Sequence, residues 1–264
     1  MTSPRRRIDQ LLVELGIADS RHKAQALLLA GQVLVNEQKV EKPGRMVDPE
    51  ASIRILGEMP FVSRAGGKLQ AALDHFHIEV AGRICADLGA STGGFTDCLL
   101  QNGAAEVHAF DVGVSQLAWK LRSDPRVTVH EHCNVRYINA QDLPPLLTLI
   151  TVDLSFISLT KILEPLSAAL RGCLGLSRPL PAGLQADLIV LVKPQFEVGK
   201  GEVGKGGIVR DDRKRLTALA RVKESALAAG FIISGDLLSP VPGAGGNQEF
   251  LLHLQLPFVL SSGS

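Results

Sequence analysis

The sequence predicts an α/β fold, in which a doubly wound, mainly parallel sheet follows a small α+β module. From residue 68 onward, short apolar segments alternate with helical stretches, a rhythm typical of right-handed crossovers in a parallel sheet. Hydrophobic residues make up 45% of the 264 residues and aromatic residues only 4%, which indicates an aliphatic core of helices on a sheet. Strands are predicted at residues 83–88, 106–111, 126–131, 149–154, 188–193, 231–238 and 249–256.

The connections between these strands set their directions. Helices are predicted between the early strands, at residues 67–78, 93–102, 114–122 and 158–170. The last two strands are joined by SPVPGAGGNQ, which is too short for a crossover helix, so the final strand is expected to be antiparallel. The segment LIVLV, at the start of 188–193, is apolar without alternation and therefore predicts a strand buried on both faces.

The N-terminal segment has a different pattern. Apolar residues recur at helical spacing in residues 5–17, and Ser20 can cap a second helix that ends at Gly31. The stretches VLVNEQKV and SIRIL predict short strands. We therefore expect a compact domain at residues 1–58, a linker at 59–66 and a catalytic-size domain at 67–260, because Gly57, Pro60, Gly66 and Gly67 lie in or beside the linker.

Composition and charge exclude several classes of protein. A net charge of +1 means that any affinity for nucleic acid must come from a local patch. The four cysteines lack CxxC spacing, which argues against a disulfide scaffold or a structural zinc site and favours reduced thiols in the cytoplasm. Acidic residues interrupt the arginine-led N-terminus, so it does not resemble a secretion signal. No segment approaches the roughly 18 apolar residues of a membrane helix.

The first strand of the sheet ends in a glycine-rich turn, DLGASTGGFTD, at residues 87–97. A strand that enters such a turn and then a helix forms a backbone cradle for a negatively charged or nucleotide-like ligand. The second strand ends at Asp111, where a carboxylate can bind both ribose hydroxyls of a nucleoside. Ser91 stands where the dinucleotide pattern requires its second glycine, which favours S-adenosylmethionine over NAD. A tight turn with a capping aspartate is the alternative. The expected cofactor residues are Asp87, Gly89, Ser91, Thr92, Gly93, Gly94, Asp111 and Val112 in this region, together with Asn134 and Asp153 further along the chain.

Ionisable side chains lie at the ends of other strands. Asp153 follows the apolar segment LITV, and Lys193 follows LIVLV. Glu249 opens the antiparallel strand, so its carboxylate is expected at the same sheet edge as these two tips. Ligands of doubly wound folds bind outside the carboxyl ends of the parallel strands. Lys68 opens the preceding helix, and for Lys68 and Glu249 an ordinary surface or capping charge is an equal alternative.

Several ordered motifs resemble the TlyA (haemolysin A-type) family: SRAGGKL, DLGASTGGFTD, FDVGVSQL, TVDLSFIS, LVKPQFEVGKGEVGKGGIVRD and GGNQEFLL. The N-terminal segment RRRIDQLLVELGIADSRHKAQALLLAGQVLVNEQKVEKPGRMV is similar to the family's RNA-binding module, named after small-subunit ribosomal protein four. The resemblance implies an FtsJ-like, Rossmann-like S-adenosylmethionine-dependent methyltransferase sheet that modifies cytidine ribose 2'-hydroxyls in ribosomal RNA. It also implies a catalytic tetrad on Lys68, Asp153, Lys193 and Glu249. Residues 171–187 form a longer, Pro/Gly-rich approach to the fifth strand than the family leads one to expect.

Two roles for Lys193 remain open. A ribose hydroxyl is a poor nucleophile until its proton is withdrawn in line with the sulfonium. In the first hypothesis Lys193 accepts that proton. Asp153 and Glu249 then orient the Lys193 side chain, and Lys68 stabilises the 2'-oxygen. In the second, Lys193 remains charged as an electrostatic stabiliser and Asp153 is the base. A free lysine has a pKa of about 10.4, and the direction in which the surroundings shift it cannot be read from the residues.

Other motifs are less specific. HEHCN contains His130, His132 and Cys133, but alternation along a strand explains it better than a metal, and no metal is expected. Asn134, which follows, is expected to contact the adenine, as the fold implies. GKGEVGKGGIVRDDRKR, at 199–215, lacks the order of a phosphate loop and is interpreted as a mobile flap over RNA or an ordinary flexible loop.

Basic residues concentrate near the two helix starts of the N-terminal module. Phosphate contact is expected there, with a solvated face as the alternative, because RNA helices are recognised largely through shape and backbone. The expected partner is ribosomal RNA or a ribosomal subunit in the cytoplasm, with no membrane and no obligate protein partner. A pore-forming haemolysin and a non-catalytic rRNA-binding assembly factor are the competing functions. The expected RNA-binding residues are Arg5, Arg6, Arg7, Arg21, His22, Lys23, Arg45 and Arg64.

Overall fold

The structure is a computed structural model, and it describes residues 4–29, 31–56, 60–176, 185–199, 201–204 and 206–257. The chain forms two compact units, Met1–Pro60 and Phe61–Ser264. Phe61 is buried in the larger unit and packs on Gly66, where an added Cβ would lie 2.3 Å from the ring. The last six residues of the segment expected as a linker, 59–66, therefore belong to the larger unit, because their apolar side chains have a core to pack against.

The smaller unit contains two helices and five short strands among its described residues. They are β1 (Arg6–Arg7), α1 (Ile8–Glu14), α2 (Arg21–Leu29), β2 (Val33–Val35), β3 (Gln38–Lys39), β4 (Met46–Val47) and β5 (Ile53–Ile55). The strands pair as a three-stranded antiparallel sheet, β3-β2-β5, and a two-stranded ladder, β1-β4. Apolar residues from both helices and from β2 form the core of the unit. The first helix begins at residue 8 and not at residue 5 as predicted, because residues 6 and 7 pair with residues 46 and 47.

The larger unit has one seven-stranded sheet. Its strands are β6 (Ile84–Leu88), β7 (Glu106–Phe110), β8 (Val127–His130), β9 (Leu147–Val152), β10 (Ala186–Val192), β11 (Ile232–Leu238) and β12 (Phe250–Leu256). Their order in the sheet is β11-β12-β10-β9-β6-β7-β8. Strand β12 is antiparallel to both of its neighbours, and the pairs among β10, β9, β6, β7 and β8 are parallel, which confirms the predicted fold class.

Helices cover both faces of this sheet. They are α3 (Ala65–Phe76), α4 (Gly94–Gln101), α5 (Trp119–Arg122), α6 (Leu163–Leu176), α7 (Pro194–Glu197) and α8 (Asp212–Ala228). Alternate residues of β10 enter two different core clusters: Leu188 and Val190 pack with α6 and α8, and Ile189 and Leu191 pack with α3 and α4. The continuous apolar run is thus buried on both faces, as predicted.

One helix prediction was largely wrong, and one helix was missed. Only one helical turn, α5, forms within residues 114–122, because Ser115 adopts a positive φ of 54° and interrupts the segment. Helix α8 was not predicted, since its start was read as part of the flexible stretch 199–215. Asp211 caps α8 by accepting a hydrogen bond from the Arg213 amide. Residues 177–184, the core of the Pro/Gly-rich approach to β10, and the lysines at 200 and 205 lie outside the described residues.

Candidate functional site

The tips of β6 and β9 approach each other unusually closely at Gly89. A Cβ at this position would lie 2.4 Å from the carbonyl oxygen of Asp153, and the backbone φ is +91°, so only glycine fits without strain. The Asp153 amide donates to the Leu88 carbonyl at 2.9 Å and continues the ladder to the strand tips. The glycine-rich turn therefore brings the cofactor loop and the Asp153 backbone into direct contact.

A cavity of about 480 Å³ opens at this edge of the sheet. Its walls come from the tips of β6, β7 and β9 and from the segment that follows β8. This is the crevice outside the carboxyl ends of parallel strands, where ligands of doubly wound folds bind. Six of the expected cofactor residues line it: Gly89, Ser91, Asp111, Val112, Asn134 and Asp153.

Asp111 is held in place by backbone amides. Its Oδ2 accepts a hydrogen bond from the Ser91 amide at 2.8 Å, and its Oδ1 accepts one from the Gly113 amide at 2.7 Å. A carboxylate has about four acceptor sites, so each oxygen keeps capacity for a ribose hydroxyl. Asn134 accepts from the Arg136 amide at 3.1 Å, which fixes the turn beside the cavity. These residues fit a nucleoside-bearing cofactor.

A second cleft of about 170 Å³ adjoins the cavity. Thr92 and Gly94, two further expected cofactor residues, line this cleft and not the larger cavity. Gly94 also packs against Ser63, whose Oγ would lie 2.2 Å from an added Cβ. Gly93 faces a different environment, since a Cβ there would meet Leu121 at 2.3 Å. The glycine at position 93 thus serves the packing of the turn.

Asp87 does not line either cavity. Its carboxylate is fully buried and accepts hydrogen bonds from the Thr96 hydroxyl at 2.7 Å and the Thr151 hydroxyl at 3.0 Å. Burial raises the pKa of Asp87 to about 6, against the two hydroxyl contacts that favour the charged form. The strand pleat turns this side chain away from the cavity, so Asp87 supports the loop from beneath.

The four expected catalytic residues form two ion pairs. The Lys193 amine lies 2.6 Å from Asp153 Oδ1, and the Lys68 amine lies 2.6 Å from Glu249 Oε2. The second pair is almost completely buried, with side chains 9% and 2% exposed. Gly243 lies against the Glu249 carboxylate, where a Cβ would be 2.0 Å from Oε1. Asp153 and Lys193 line the smaller cleft, and Asp153 also lines the larger cavity.

The histidines of HEHCN have structural partners. His130 stacks on Phe110 with ring centroids 4.2 Å apart, and its Nε2 lies 3.0 Å from His108 Nδ1. Burial and the neighbouring His108 lower the pKa of His130. Within the described part of the chain, no group of three or more metal-ligating residues has the geometry for an ion.

The smaller unit contains an anchored arginine pair. Asp9 is completely buried and accepts two hydrogen bonds from Arg7, one from Arg21 Nε and one from Gln25, all at 3.0 to 3.1 Å. The Arg7 contact holds the pKa of Asp9 far below its ordinary range. Both guanidinium groups remain about half exposed. Asp9 was missed in the sequence, although an acid between the buried Ile8 and the buried leucines of α1 was a detectable signal.

The other expected RNA-binding residues are exposed side chains. Arg6 pairs with Glu14, and Lys23 pairs with Asp19 at 2.7 Å. In the larger unit, Arg64 immediately precedes α3. The exposed members of the set are Arg5, Arg6, Arg21, His22, Lys23, Arg45 and Arg64.

Two residues next to the site were also missed. Ser155 accepts a hydrogen bond from the Lys193 amine at 2.9 Å. Glu197 is buried and accepts from the Ser158 hydroxyl at 2.6 Å and the Leu159 amide at 2.9 Å. Both lie within a few residues of a strand tip, in the stretches TVDLSFIS and LVKPQFE, and that position was the available signal.

A sheet of this strand order, with a glycine-rich turn and an acidic second tip around one cavity, places the protein in the class of doubly wound folds that bind a nucleoside-bearing cofactor. The model of the FtsJ-like methyltransferase family matches residues 61–256, and that of the S4 domain matches residues 6–53. The chain therefore belongs to the FtsJ-like methyltransferase family and carries an S4 domain at its N-terminal end. This membership confirms the expected resemblance and confirms S-adenosylmethionine as the cofactor.

Relatives match along most of the chain. A candidate rRNA methyltransferase of Bacillus subtilis, YqxC, is 45% identical, and the match covers 97% of this chain and 88% of that protein. The 16S/23S rRNA (cytidine-2'-O)-methyltransferase TlyA of Mycobacterium tuberculosis is 44% identical, over 95% of this chain and 90% of that protein. A solved structure of a candidate hemolysin from Streptococcus thermophilus is 39% identical, with a TM-score of 0.71, and the match covers 96% of this chain and 89% of that one.

In the described parts of the chain, no helix is both long enough and apolar enough to cross a bilayer.

Proposed function

We propose that this protein transfers a methyl group from S-adenosylmethionine to the ribose 2'-hydroxyl of a cytidine in ribosomal RNA. The observation that carries the proposal is the position of the Asp153–Lys193 pair on the wall between two spaces. Asp153 lines both the cavity of about 480 Å³ and the smaller cleft, and Lys193 lines the cleft. A cofactor in the first space and a ribose in the second would meet at this pair.

The cavity residues have distinct roles in holding the cofactor. Asp111 would accept hydrogen bonds from the ribose hydroxyls, and Val112 and Asn134 would flank the adenine. The backbone at Gly89 lies nearest to Asp153 and would support the methionine end. S-adenosylmethionine supplies an electrophilic methyl group on a sulfonium. The exposed edge of the cavity leaves room for a ligand of nucleoside size.

The ion pairs supply the proton chemistry. In the first assignment the amine of Lys193 accepts the 2'-hydroxyl proton, while Asp153 and Glu249 orient the amines and Lys68 stabilises the 2'-oxygen. In the second, Lys193 remains an ammonium and Asp153 accepts the proton. A pH–rate profile of Lys193→Arg separates the two, because arginine keeps the charge but cannot act as a base. Near-normal turnover with intact cofactor binding contradicts the first assignment.

The S4 domain and its basic residues support ribosomal RNA as the substrate. Arg7 and Arg21 present half-exposed guanidinium groups from a fixed base, a geometry suited to phosphate oxygens. The relative from Mycobacterium tuberculosis is named for cytidine 2'-O-methylation of both 16S and 23S rRNA. A ribosomal substrate would place the reaction in the cytoplasm.

The test is tritium transfer from labelled S-adenosylmethionine to separated ribosomal subunits, followed by mapping of the methylated ribose. Wild-type protein is expected to label at least one subunit at a cytidine 2'-oxygen, and Asp153→Asn is expected to abolish labelling. Lys223→Met, which changes a partly exposed lysine of α8 that pairs with Asp236 and lines neither space, is the matched control and is expected to label normally.

Two results would contradict the proposal. Absence of calorimetric binding of S-adenosylmethionine would favour a non-catalytic assembly factor that uses the fold as a scaffold. Lysis of liposomes by purified protein without cofactor, together with absence of methyl transfer, would favour a membrane-active protein.

A further inference from the structure

The Lys193 amine makes two polar contacts of different kinds. Its distance to Asp153 Oδ1 is 2.6 Å, yet that oxygen is buried and accepts no hydrogen bond among the described residues, because the angles are unfavourable. The contact to Ser155 Oγ, at 2.9 Å, does have hydrogen-bond geometry. The ion pair thus attracts the amine without fixing its direction, and the serine hydroxyl supplies the direction.

Direction matters for this side chain. A lysine stem has four rotatable bonds, so an ammonium attracted to a single oxygen can occupy many positions around it. A reacting group must approach within about 3–3.5 Å in the correct line, and a misplacement of about 1 Å can lower the rate about 100-fold. A second, directional contact reduces the positions open to the amine.

Ser155 lies at the place where such a contact is needed. Among the residues that the structure describes, four line both the large cavity and the smaller cleft: Gly89, Ser91, Asp153 and Ser155. Among these four, the side chains of Asp153 and Ser155 are the ones that contact Lys193. The hydroxyl therefore stands on the wall that a methyl group would cross.

The backbone that carries Ser155 is anchored on both sides. Asp153 is tied to β6 through its amide. Downstream, the buried Glu197 carboxylate holds Ser158 and the Leu159 amide at 2.6 and 2.9 Å. Because α7 carries Glu197 directly after Lys193, the same short stretch provides the lysine and the clamp on the serine loop. The distance between hydroxyl and amine is thus set by one rigid arrangement.

A hydroxyl differs from a carboxylate in one further respect. An ionised carboxylate can only accept hydrogen bonds, whereas a serine hydroxyl accepts from an ammonium and donates to a neutral amine. Ser155 can therefore hold the Lys193 nitrogen in either protonation state. We propose that Ser155 is a positioning residue that keeps the Lys193 amine directed at the reacting 2'-oxygen.

This inference rests on the proposed methyl transfer. In that reaction the bond from the 2'-oxygen to the methyl carbon forms as the carbon–sulfur bond breaks, and the electron pair of that bond stays on sulfur. The hydroxyl proton passes to Lys193 or to Asp153. Ser155 neither gains nor loses a proton overall in either assignment.

The test compares Ser155→Ala with Ser155→Thr in steady-state methylation of the subunit that wild-type protein labels. Loss of a hydrogen bond to a charged group is expected to lower kcat about 10- to 100-fold. The KM values for RNA and cofactor are expected to stay within about twofold of wild type, because the hydroxyl positions a lysine and does not bind the substrates. Threonine keeps the hydroxyl and is expected to recover most of kcat.

The recovery by threonine and the split between kcat and KM separate positioning from a merely structural role. Cofactor binding by calorimetry is a further readout, and Ser155→Ala is expected to bind S-adenosylmethionine as tightly as wild-type protein. Ser123→Ala is the matched control, because it removes an exposed serine hydroxyl that donates to the Trp119 carbonyl and lines neither cavity. It is expected to keep the wild-type kcat.

The outcomes are distinguishable. Active wild-type protein with an unchanged kcat in Ser155→Ala overturns the inference alone. Loss of cofactor binding in Ser155→Ala, with no recovery in Ser155→Thr, also overturns it, because the residue would then serve the cofactor. Wild-type protein that methylates neither subunit overturns both the inference and the proposed function.

Discussion

The buried Lys68–Glu249 pair allows a quantitative prediction about stability. Lys68→Met removes the ammonium 2.6 Å from Glu249 Oε2 and leaves a carboxylate that is 2% exposed without its charge partner. Breaking one side of a buried ion pair costs about 3–5 kcal/mol of unfolding free energy. For a unit of roughly 200 residues, at about 2–4 °C per kcal/mol, the expected fall in Tm is about 6–20 °C.

The double variant Lys68→Met/Glu249→Gln is the more informative one. With both charges removed, an uncompensated carboxylate no longer exists, so its unfolding free energy is expected within about 1–2 kcal/mol of wild type. The Glu249→Gln change preserves shape, which the contact with Gly243 requires. Methyl transfer is expected to remain lost in the double variant, because both charges belong to the proposed site.

The assay is urea denaturation followed by far-ultraviolet circular dichroism, arranged as a double-mutant cycle. The matched control is Lys214→Met, which removes the same group from an exposed pair with Glu202 at 3.5 Å. Its expected cost is below about 1 kcal/mol. A Lys68→Met cost as small as that of the control, or strict additivity of the two single changes, would refute the reasoning.

Three further predictions follow from other parts of the molecule. Gly89→Ala places a Cβ 2.4 Å from the Asp153 carbonyl oxygen and should weaken S-adenosylmethionine binding at least about 10-fold by calorimetry; unchanged affinity would contradict the close approach. Asp9→Asn removes the charge that anchors Arg7, so it should lower the unfolding free energy of the smaller unit by about 2–3 kcal/mol and weaken binding of the protein to rRNA fragments. Unaltered RNA binding would mean that Arg7 needs no anchor. Burial raises the pKa of Asp87 to about 6 in the folded protein, above the ordinary 3.8, so the Tm of wild-type protein should fall as pH rises from about 4 through about 6. The Tm of Asp87→Asn should lack this decline, and a wild-type Tm that rises over the same range would contradict the raised pKa.

Apolar runs and connection lengths in the sequence predicted which strands are buried and in which direction they run. The LIVLV run required cover on both faces, and alternate residues of β10 do enter two separate core clusters. The short final connection required an antiparallel strand, which β12 is. Helix α8 was missed although Leu219, Val222 and Ala226 recur at helical spacing, because its charged first turn resembles the flexible stretch before it.

Sequence patterns did not predict which way the side chains of the candidate site point. Asp87 and Asp111 both lie at strand tips, yet Asp111 faces the cavity and Asp87 faces Thr151 on the neighbouring strand. Which way each side chain points depends on strand register, because a shift of one residue reverses the face. The register pairs Asp87 with Thr151 across β6 and β9, which no local pattern encodes.

The sequence by itself predicted the class of fold and the sheet edge at which Asp153 and Lys193 lie, because apolar periodicity and strand direction are local properties. The set of four ionisable residues, with Lys68 and Glu249, followed from the resemblance to a family. Only the tertiary structure decided that these four residues join as Lys68 with Glu249 and Lys193 with Asp153, and that Ser155 accepts a hydrogen bond from Lys193. Lys68 and Glu249 are 181 residues apart, and a contact of 2.6 Å between them depends on where α3 packs against β12. Hydrogen bonds and ion pairs act over about 3 Å, so their partners are set by packing that chain order does not specify.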